Sequence, residues 1–411
     1  MKILLLSAYF PPEVGSAPHL FYEIGSELVR RGHRVTVLTG FPAYNIDEHT
    51  LPGKYRSGAR LVEVVEGMHV VRIRSPRMPR HIRILRGLEQ VAMAATFALG
   101  GLILPESDND VILLYSPPLF LGLSALMIRF LKKSKVVINV QDLFPQSAID
   151  LGVLRSRPLI WLFRKIESLI YRRSNLITVH SKGNRDHVLR CGGRTETTFE
   201  VPNLVDTDKI VPGDRLNSFR TKYRIPSTAF VVSFAGVIGL SQDLDTVIDA
   251  AKLTREESVV YYIVGDGIEK ARLVKKAEGV ANVRFLPMLP KDEYVDLLHA
   301  SDLCLVTLHK EVKTPVVPSK ILSIMAAGRP ILASMPLSGD APALVQTAGC
   351  GVCIQPENPA EMAGAVSQFV ERRDESAQMG KKGRDYVVSH CSLRACVSQY
   401  EQLFTSLLQH E

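Results

Sequence analysis

A chain of 411 residues, 46% hydrophobic and 22% charged, is longer than one core usually organises and too apolar for a disordered segment, so two folded domains are expected. Its net charge of +8 is uneven: residues 1–200 carry 27 Lys and Arg against 17 Asp and Glu, residues 201–411 carry 23 against 25. The six cysteines form no disulfide framework, which fits a reducing cytoplasm, and Cys350-x-x-Cys353 lacks the second pair a structural metal site needs.

The first ten residues begin like a signal peptide but reach Pro11-Pro12-Glu13 too soon, and Ile3–Leu6 reads instead as a buried strand. A loop holding Glu13, Gly15 and Ser16 follows, then a helix over about 19–31 and a strand at Val35–Leu38, which is one βαβ unit. The loop lacks G-x-G-x-x-G, which argues against a dinucleotide-dependent oxidoreductase. Arg72, Arg74, Arg77, Arg80, His81, Arg83 and Arg86 come next, with no acidic residue between Glu66 and Glu89. The uncharged run Val91–Leu104 follows, too short as a helix to cross a bilayer. Segment 72–104 therefore reads either as a surface for anionic lipid or as a buried helix under a solvated basic loop; nucleic acid is disfavoured as the partner.

Strands at 70–73, 111–115, 136–140 and 176–179 alternate with helices near 82–104, 118–132, 156–172 and 182–190, the pattern of a parallel α/β sheet. Asp142 and the stretch His180-Ser181-Lys182 stand at strand ends, where open α/β folds bind ligands; Asp142 and Ser181 are equally suited to capping helices. A polar, proline-bearing link runs from Val201 to Pro226, and a second doubly wound unit starts at Phe230. It contains the loop Gly236–Asp243, the turn Gly265-Asp266-Gly267, and a strand over 283–286. Helices follow Pro359, the last spanning about 393–409, with Cys396, Tyr400, Leu403 and Leu407 on one side and Phe404 and Leu408 at its margin.

Within this unit, Val317-Pro-Ser-Lys-Ile-Leu-Ser-Ile-Met-Ala-Ala-Gly-Arg-Pro330 reads as a short helix opening at Ser319 and closed by Gly328. Open first-turn amides, the positive end of the helix dipole and the Lys320 ammonium would suit an anion; the alternative is an ordinary core helix between two strands. Acidic triplets at 108–110, 206–208 and 243–245 invite a metal, but acidic residues in loops and at helix starts are ordinarily solvated or capping, and no metal is assigned.

Taken together, Phe-Pro-Pro-Glu-Val-Gly-Ser, Arg-Gly-His-Arg-Val-Thr-Val-Leu-Thr-Gly, Val-Gln-Asp-Leu-Phe-Pro, Val-Pro-Asn-Leu-Val-Asp, Ala-Gly-Val-Ile-Gly, Val-Gly-Asp-Gly and the Pro-Ser-Lys helix resemble glycosyltransferase family 4, in particular bacterial enzymes of O-antigen, capsule and colanic-acid synthesis. The resemblance implies a GT-B fold of two Rossmann-like doubly wound domains facing across a cleft. Residues 1–203 would be the acceptor side, 204–390 the nucleotide-sugar side, and 391–411 a helix packing back on the first domain. It further implies a retaining, metal-independent transfer of a sugar, plausibly an N-acetylated or deoxy hexose from a UDP-sugar, with no cofactor beyond that donor. The acceptor expected is a polyprenyl-diphosphate-linked glycan, and the place the inner face of the cell membrane, where the protein would sit peripherally.

By the same resemblance Gly236 and Gly239 would lie near the diphosphate, Gly265 and Gly267 on the nucleotide side, and Arg284 to Pro287 near the base. Ser319, Lys320 and Ile321 would take the phosphates, Gly15 and Ser16 would approach them from the first domain, Asp142 would face the sugar, and Lys182 would supply a further cation. Two departures stand out. The carboxylates of the family's Glu-x7-Glu fall on Pro315 and Ser323, and the usual basic pair near the first loop is replaced by residues that include Val237, Gln242 and Asp243. Two other readings fit the same fold: a nucleotide-sugar 2-epimerase, which the missing carboxylates disfavour, and a non-catalytic nucleotide-sugar or lipid-binding subunit, which they favour.

Overall fold

In the computed structural model the described residues are 1–13, 15–43, 46, 51–76, 83–104, 109–150, 152–312 and 315–409, with the backbone alone described at 16 and 83–88. The chain divides into two compact units, Met1–Asn203 with Leu393–Glu411, and Leu204–Ser392.

The first unit carries an eight-stranded sheet formed by β1 (Lys2–Leu6), β2 (Arg34–Gly40), β3 (Arg60–Val65), β4 (Met68–Ile73), β5 (Val111–Ser116), β6 (Lys135–Val140), β7 (Leu176–Val179) and β8 (Thr198–Glu200), in the order β3-β4-β2-β1-β5-β6-β7-β8. Every pair is parallel except β3 with β4, a hairpin closed by Glu66 and Gly67, both at positive φ. That edge strand departs from the all-parallel expectation. Its residues alternate exposed and half-buried rather than forming the apolar run of a strand covered on both faces.

Helices Arg83–Leu102, Leu121–Lys132 and Arg157–Arg173 bury Phe97, Leu121, Ala125, Ile128, Ile170 and Tyr171 against one face of this sheet, together with Leu4, Leu114, Ile138 and Ile177. Gly122 lets the second and third of these helices approach, since a β-carbon there would lie 2.7 Å from Ile170. The final helix, Leu393–Gln409, docks elsewhere in the same unit: Tyr400 Oη accepts from Asn139 Nδ2 at 2.6 Å, and Glu401 takes Arg31 at 2.5 Å and His33 at 2.7 Å. Its buried stripe is Cys396, Val397, Tyr400 and Phe404, so Phe404 belongs to the core rather than to the margin expected for it, and Leu403 and Leu407 are only half-buried.

The basic cluster is only in part a surface feature. Arg72 is fully buried; its guanidinium donates to Glu63 Oε1 at 2.6 Å, to Gly40 O at 3.3 Å and to Pro11 O. Arg74 is held by the carbonyls of Gly58 and Tyr55. Residues 77–82 and the side chains of Arg83 and Arg86 lie outside the description. The apolar run that follows packs Ala94, Phe97 and Ala98 inward, and Gly100 abuts Ile73. Among the described residues no helix is long and apolar enough to cross a membrane.

The second unit has a six-stranded, wholly parallel sheet: β9 (Phe230–Ala235), β10 (Val259–Val264), β11 (Val283–Leu286), β12 (Leu303–Thr307), β13 (Ile331–Ser334) and β14 (Gly351–Ile354), ordered β11-β10-β9-β12-β13-β14. Strand order reverses between β9 and β12, so the loops leaving their carboxyl ends diverge there and open a crevice. Beneath them lie Phe230, Val232, Phe234, Leu303 and Leu305, all buried.

The buried arginine yields a stability prediction. Arg72→Met would strand part of Glu63's charge and two backbone carbonyls, and should lower the unfolding free energy by about 3–5 kcal/mol in urea titration. A shift within the ordinary range of surface substitutions would mean that Arg72 is a surface residue after all.

Candidate nucleotide-sugar site

The crevice of the second unit is built by three loops. After β9 the chain turns at Gly236 (φ 148°) into Val237–Asp243, then enters helix Leu244–Leu253. Asp243 (φ 24°) is buried; its carboxylate accepts from Thr246 Oγ1 at 2.8 Å and from the Glu357 N–H at 3.0 Å. Burial raises its pKa, against the pull of those two donors. The Thr307 hydroxyl donates to Gln242 O at 3.0 Å and the His309 N–H to Ser241 O at 2.9 Å, which ties the β9 and β12 loops together.

The turn after β10 locks onto this loop from the other side. A β-carbon at Gly265 (φ 144°) would stand 1.8 Å from Gly236 O, and one at Gly267 (φ 159°) 2.1 Å from Ile238 O. Only glycine permits that approach. Gly265 and Gly267 thus shape the crevice by packing the two loops, whereas Gly239 is uncrowded, its nearest neighbour being Val237 at 3.7 Å.

Lys320 enters from helix Lys320–Ala326, which follows the β12 loop. Its ammonium lies 3.8 Å from the Phe234 ring centroid, donates to Gln242 Oε1 at 3.0 Å, and would be 3.0 Å from a β-carbon at Gly236. Among the described residues no carboxylate pairs with it. Burial without a counter-charge pushes its pKa down to about 7, because the neutral amine is cheaper to desolvate than the ammonium. The ring face and the amide oxygen are partial compensation, and the position suits an anion.

Other expectations for this helix need correction. The amides of Ile321 and Leu322 are not open: they donate to Pro318 O at 3.0 Å and Ser319 O at 3.1 Å in a tight first turn. The Ile321 side chain is fully buried. Ser319 precedes the helix in helical conformation and makes no side-chain cap. The Ser323 hydroxyl engages the Tyr294 phenol, whose pKa is raised by burial. Arg284 does not join the crevice, because its guanidinium turns back to the carbonyls of Ala281 and Val283, before the carboxyl end of β11. Pro287 is exposed beyond that end, and the next amide, Met288 N–H, donates to Asp266 Oδ2. Phe234 carried no chemical signal in the sequence; an aromatic near the end of an apolar strand reads as core.

In the first unit, Gly15 (φ 152°) is the N-cap of helix Ser16–Arg30, and Glu13 is buried with its carboxylate accepting from the Phe10 and Ala43 amides. The Ser16 side chain lies outside the described residues. Asp142 opens to solvent just beyond β6, yet the surrounding protein raises its pKa against the pull of Ser147 and the Leu143 amide. Ser181 caps helix Lys182–Arg190 by accepting from the Asn184 N–H, and Lys182 is exposed on its first turn. The described carboxylates of the acidic triplets have protein partners: Asp110 with the Lys2 amide, Asp206 with the Asp208 and Lys209 amides, Asp245 with Arg272 and Lys276.

Two Rossmann-like units, each a mostly parallel sheet flanked by helices, define the GT-B architecture. The profile "Glycosyl transferase 4-like domain" matches residues 15–203 and "Glycosyl transferases group 1" matches 217–386, so the chain belongs to the glycosyltransferases in both halves. Among its relatives is WcaI of Escherichia coli, a glycosyl transferase assigned to colanic acid biosynthesis, 25% identical over 382 residues, covering 90% of this chain and 92% of that protein. WbjE of Pseudomonas aeruginosa, assigned as a glycosyltransferase, is 25% identical over 299 residues, covering 72% and 74%. Among solved structures, HepE of Anabaena in complex with UDP superposes with a TM-score of 0.74 at 18% identity, covering 99% of this chain and 100% of that one.

The two classes of glycine in the crevice should separate on substitution. Gly265→Ala combines a left-handed φ with a backbone clash and is expected to cost at least about 2 kcal/mol in thermal unfolding. Gly239→Ala should stay within about 0.5 kcal/mol of the parent. Equal effects would contradict the packing role given to Gly265.

Proposed function

We propose that this protein transfers a sugar, with retention of anomeric configuration, from a UDP-sugar to a polyprenyl-diphosphate-linked glycan during surface polysaccharide synthesis, at the inner face of the cell membrane. The carrying observation is Lys320: an enclosed ammonium with a ring and an amide for neighbours, at the switch point of the second unit, is a site that gains stability when a diphosphate arrives. Departure of the nucleotide concentrates negative charge on the β-phosphate. A preorganised cation answers that charge without a metal.

Several further facts support the reading. Gly236 leaves room for the Lys320 ammonium, which would stand 3.0 Å from a β-carbon there, and Gly265 packs the β10 turn against it. HepE, which shares the fold, was solved with UDP, and WcaI is assigned to colanic acid biosynthesis. Asp142, at the carboxyl edge of the first sheet and with its pKa raised, is the residue assigned to the sugar hydroxyls. No enzymic nucleophile is assigned.

The pH dependence of nucleotide binding tests Lys320 directly. Below pH 7 the free site already holds its proton, so UDP affinity should be flat with respect to this group. Above pH 7 binding must bring a proton with it, and affinity should fall by up to about tenfold per pH unit until the raised pKa of the complex is reached. Lys320→Arg should flatten that slope, because guanidinium keeps its charge, and Lys320→Ala should weaken UDP binding at least about tenfold in calorimetry. UDP affinity that is pH-independent from 7 to 9 would mean that Lys320 keeps its charge in the free site, and unchanged UDP binding in Lys320→Ala would remove Lys320 from the phosphate site.

A further inference from the structure

The helical layer of the first unit has an outward face that the fold leaves uncovered. Helix Arg157–Arg173 packs the half-buried Phe163 against Phe144 and Phe120, with ring centroids 5.3 and 5.9 Å apart, and buries Ile170 and Tyr171 against the sheet. Turned the other way are Trp161 (63% exposed), Leu162 and Leu169, interleaved with Lys165, Arg172 and Arg173, all exposed. The neighbouring helix Leu121–Lys132 adds Phe130, 84% exposed, with Met127 and Leu131, and helix Arg83–Leu102 adds Leu99. Arg129 donates to Arg173 O, which joins the ends of the second and third helices into one surface.

Charge selects the occupant. Helix Leu121–Lys132 contains no acidic residue, and the one acidic residue of helix Arg157–Arg173 is Glu167, buried and turned to His187 at 3.3 Å. A face of large apolar side chains separated by Lys and Arg, with no carboxylate on either helix facing outward, is repelled by a second copy of itself. It is complementary to an anionic bilayer, where aromatic rings sit at headgroup level and basic groups meet lipid phosphate. Lys165 lies 5.9 Å from the Trp161 ring, so one headgroup could meet both.

We infer that the outward face of helices Leu121–Lys132 and Arg157–Arg173, centred on Trp161, Leu162, Lys165 and Phe130, is the surface by which this protein docks on an anionic membrane. The inference rests on the membrane placement proposed above and moves its physical basis from the basic stretch 72–86, where Arg72 is buried and Arg74 is tied to backbone carbonyls, to the helical layer. Phe163 packs on Phe144, two residues after Asp142, so docking there would hold the Asp142 edge of this unit close to the lipid surface.

Trp161 is the sole tryptophan of the chain, so its emission reports this face and nothing else. The full-length protein is titrated with phosphatidylcholine vesicles, with and without phosphatidylglycerol, and then with brominated lipid. The expected result is a blue shift and bromine quenching only with the anionic vesicles. Lys165→Glu with Arg172→Glu should weaken vesicle partitioning at least about fivefold per charge removed. UDP-induced thermal stabilisation should be the same in parent and variant; its loss in both would count against the donor reading and leave the docking result standing. Absence of vesicle binding, binding with Trp161 unquenched, or a lipid-free, concentration-dependent dimer that shields Trp161 would each overturn the proposal.

Discussion

An ammonium enclosed in protein without a counter-ion is expensive, and the architecture of the second unit's crevice follows from tolerating one. A β-carbon at residue 236 would crowd the Lys320 ammonium at 3.0 Å, and Gly236 is in turn pressed by Gly265, whose own β-carbon would strike its carbonyl. The β9 and β10 loops are therefore fixed to each other, and Gln242 and Phe234 supply polar and ring contacts to the charge. On the function proposed above, rigid loops around an under-compensated cation would act as a preorganised anion receptor, with the reorganisation cost met in folding.

The strand and helix framework was largely readable from the sequence because both sheets are mostly parallel and buried on both faces. Their strands are apolar runs separated by helical periodicity, and Ser181 and the helix 393–409 stand where residue chemistry puts them. The exceptions include the edge strands β8, only three residues long, and β3, which pairs antiparallel and presents Val62 and Val64 to solvent, so neither apolar continuity nor a buried alternation marks β3. Its one local signal is the Glu66-Gly67 turn, which fits a two-residue hairpin.

Site residues were harder to read, for a consistent reason. Sequence identifies a group's chemistry but not its direction. Arg72 and Arg74 look like free surface charge, yet Arg72 is buried and both clamp backbone carbonyls, and Arg284 points away from the strand end that its position suggests. Conversely Phe234 looks like core and forms one wall of the Lys320 site. The first-turn amides of helix Lys320–Ala326, open in an ideal α-helix, are closed by Pro318 and Ser319 carbonyls, which leaves the side chain rather than the helix end as the source of positive charge.

That shift bears on the carboxylates that family resemblance leads one to expect at positions 315 and 323. A glutamate at 323 would stand three residues beyond Lys320 on the same helix, within reach of an intrahelical ion pair. Such a pair would raise the Lys320 pKa and fix the charge, but it would also offer the ammonium a partner in competition with the ligand. With Ser323 engaging Tyr294 instead, no carboxylate among the described residues pairs with Lys320, and its pKa falls to about 7. The cation is then poised near neutrality, charged by the ligand's own field as it binds. Loss of the acidic pair and retention of Lys320 are in this view two halves of one electrostatic arrangement, in which the phosphate is the counter-ion that the protein leaves out.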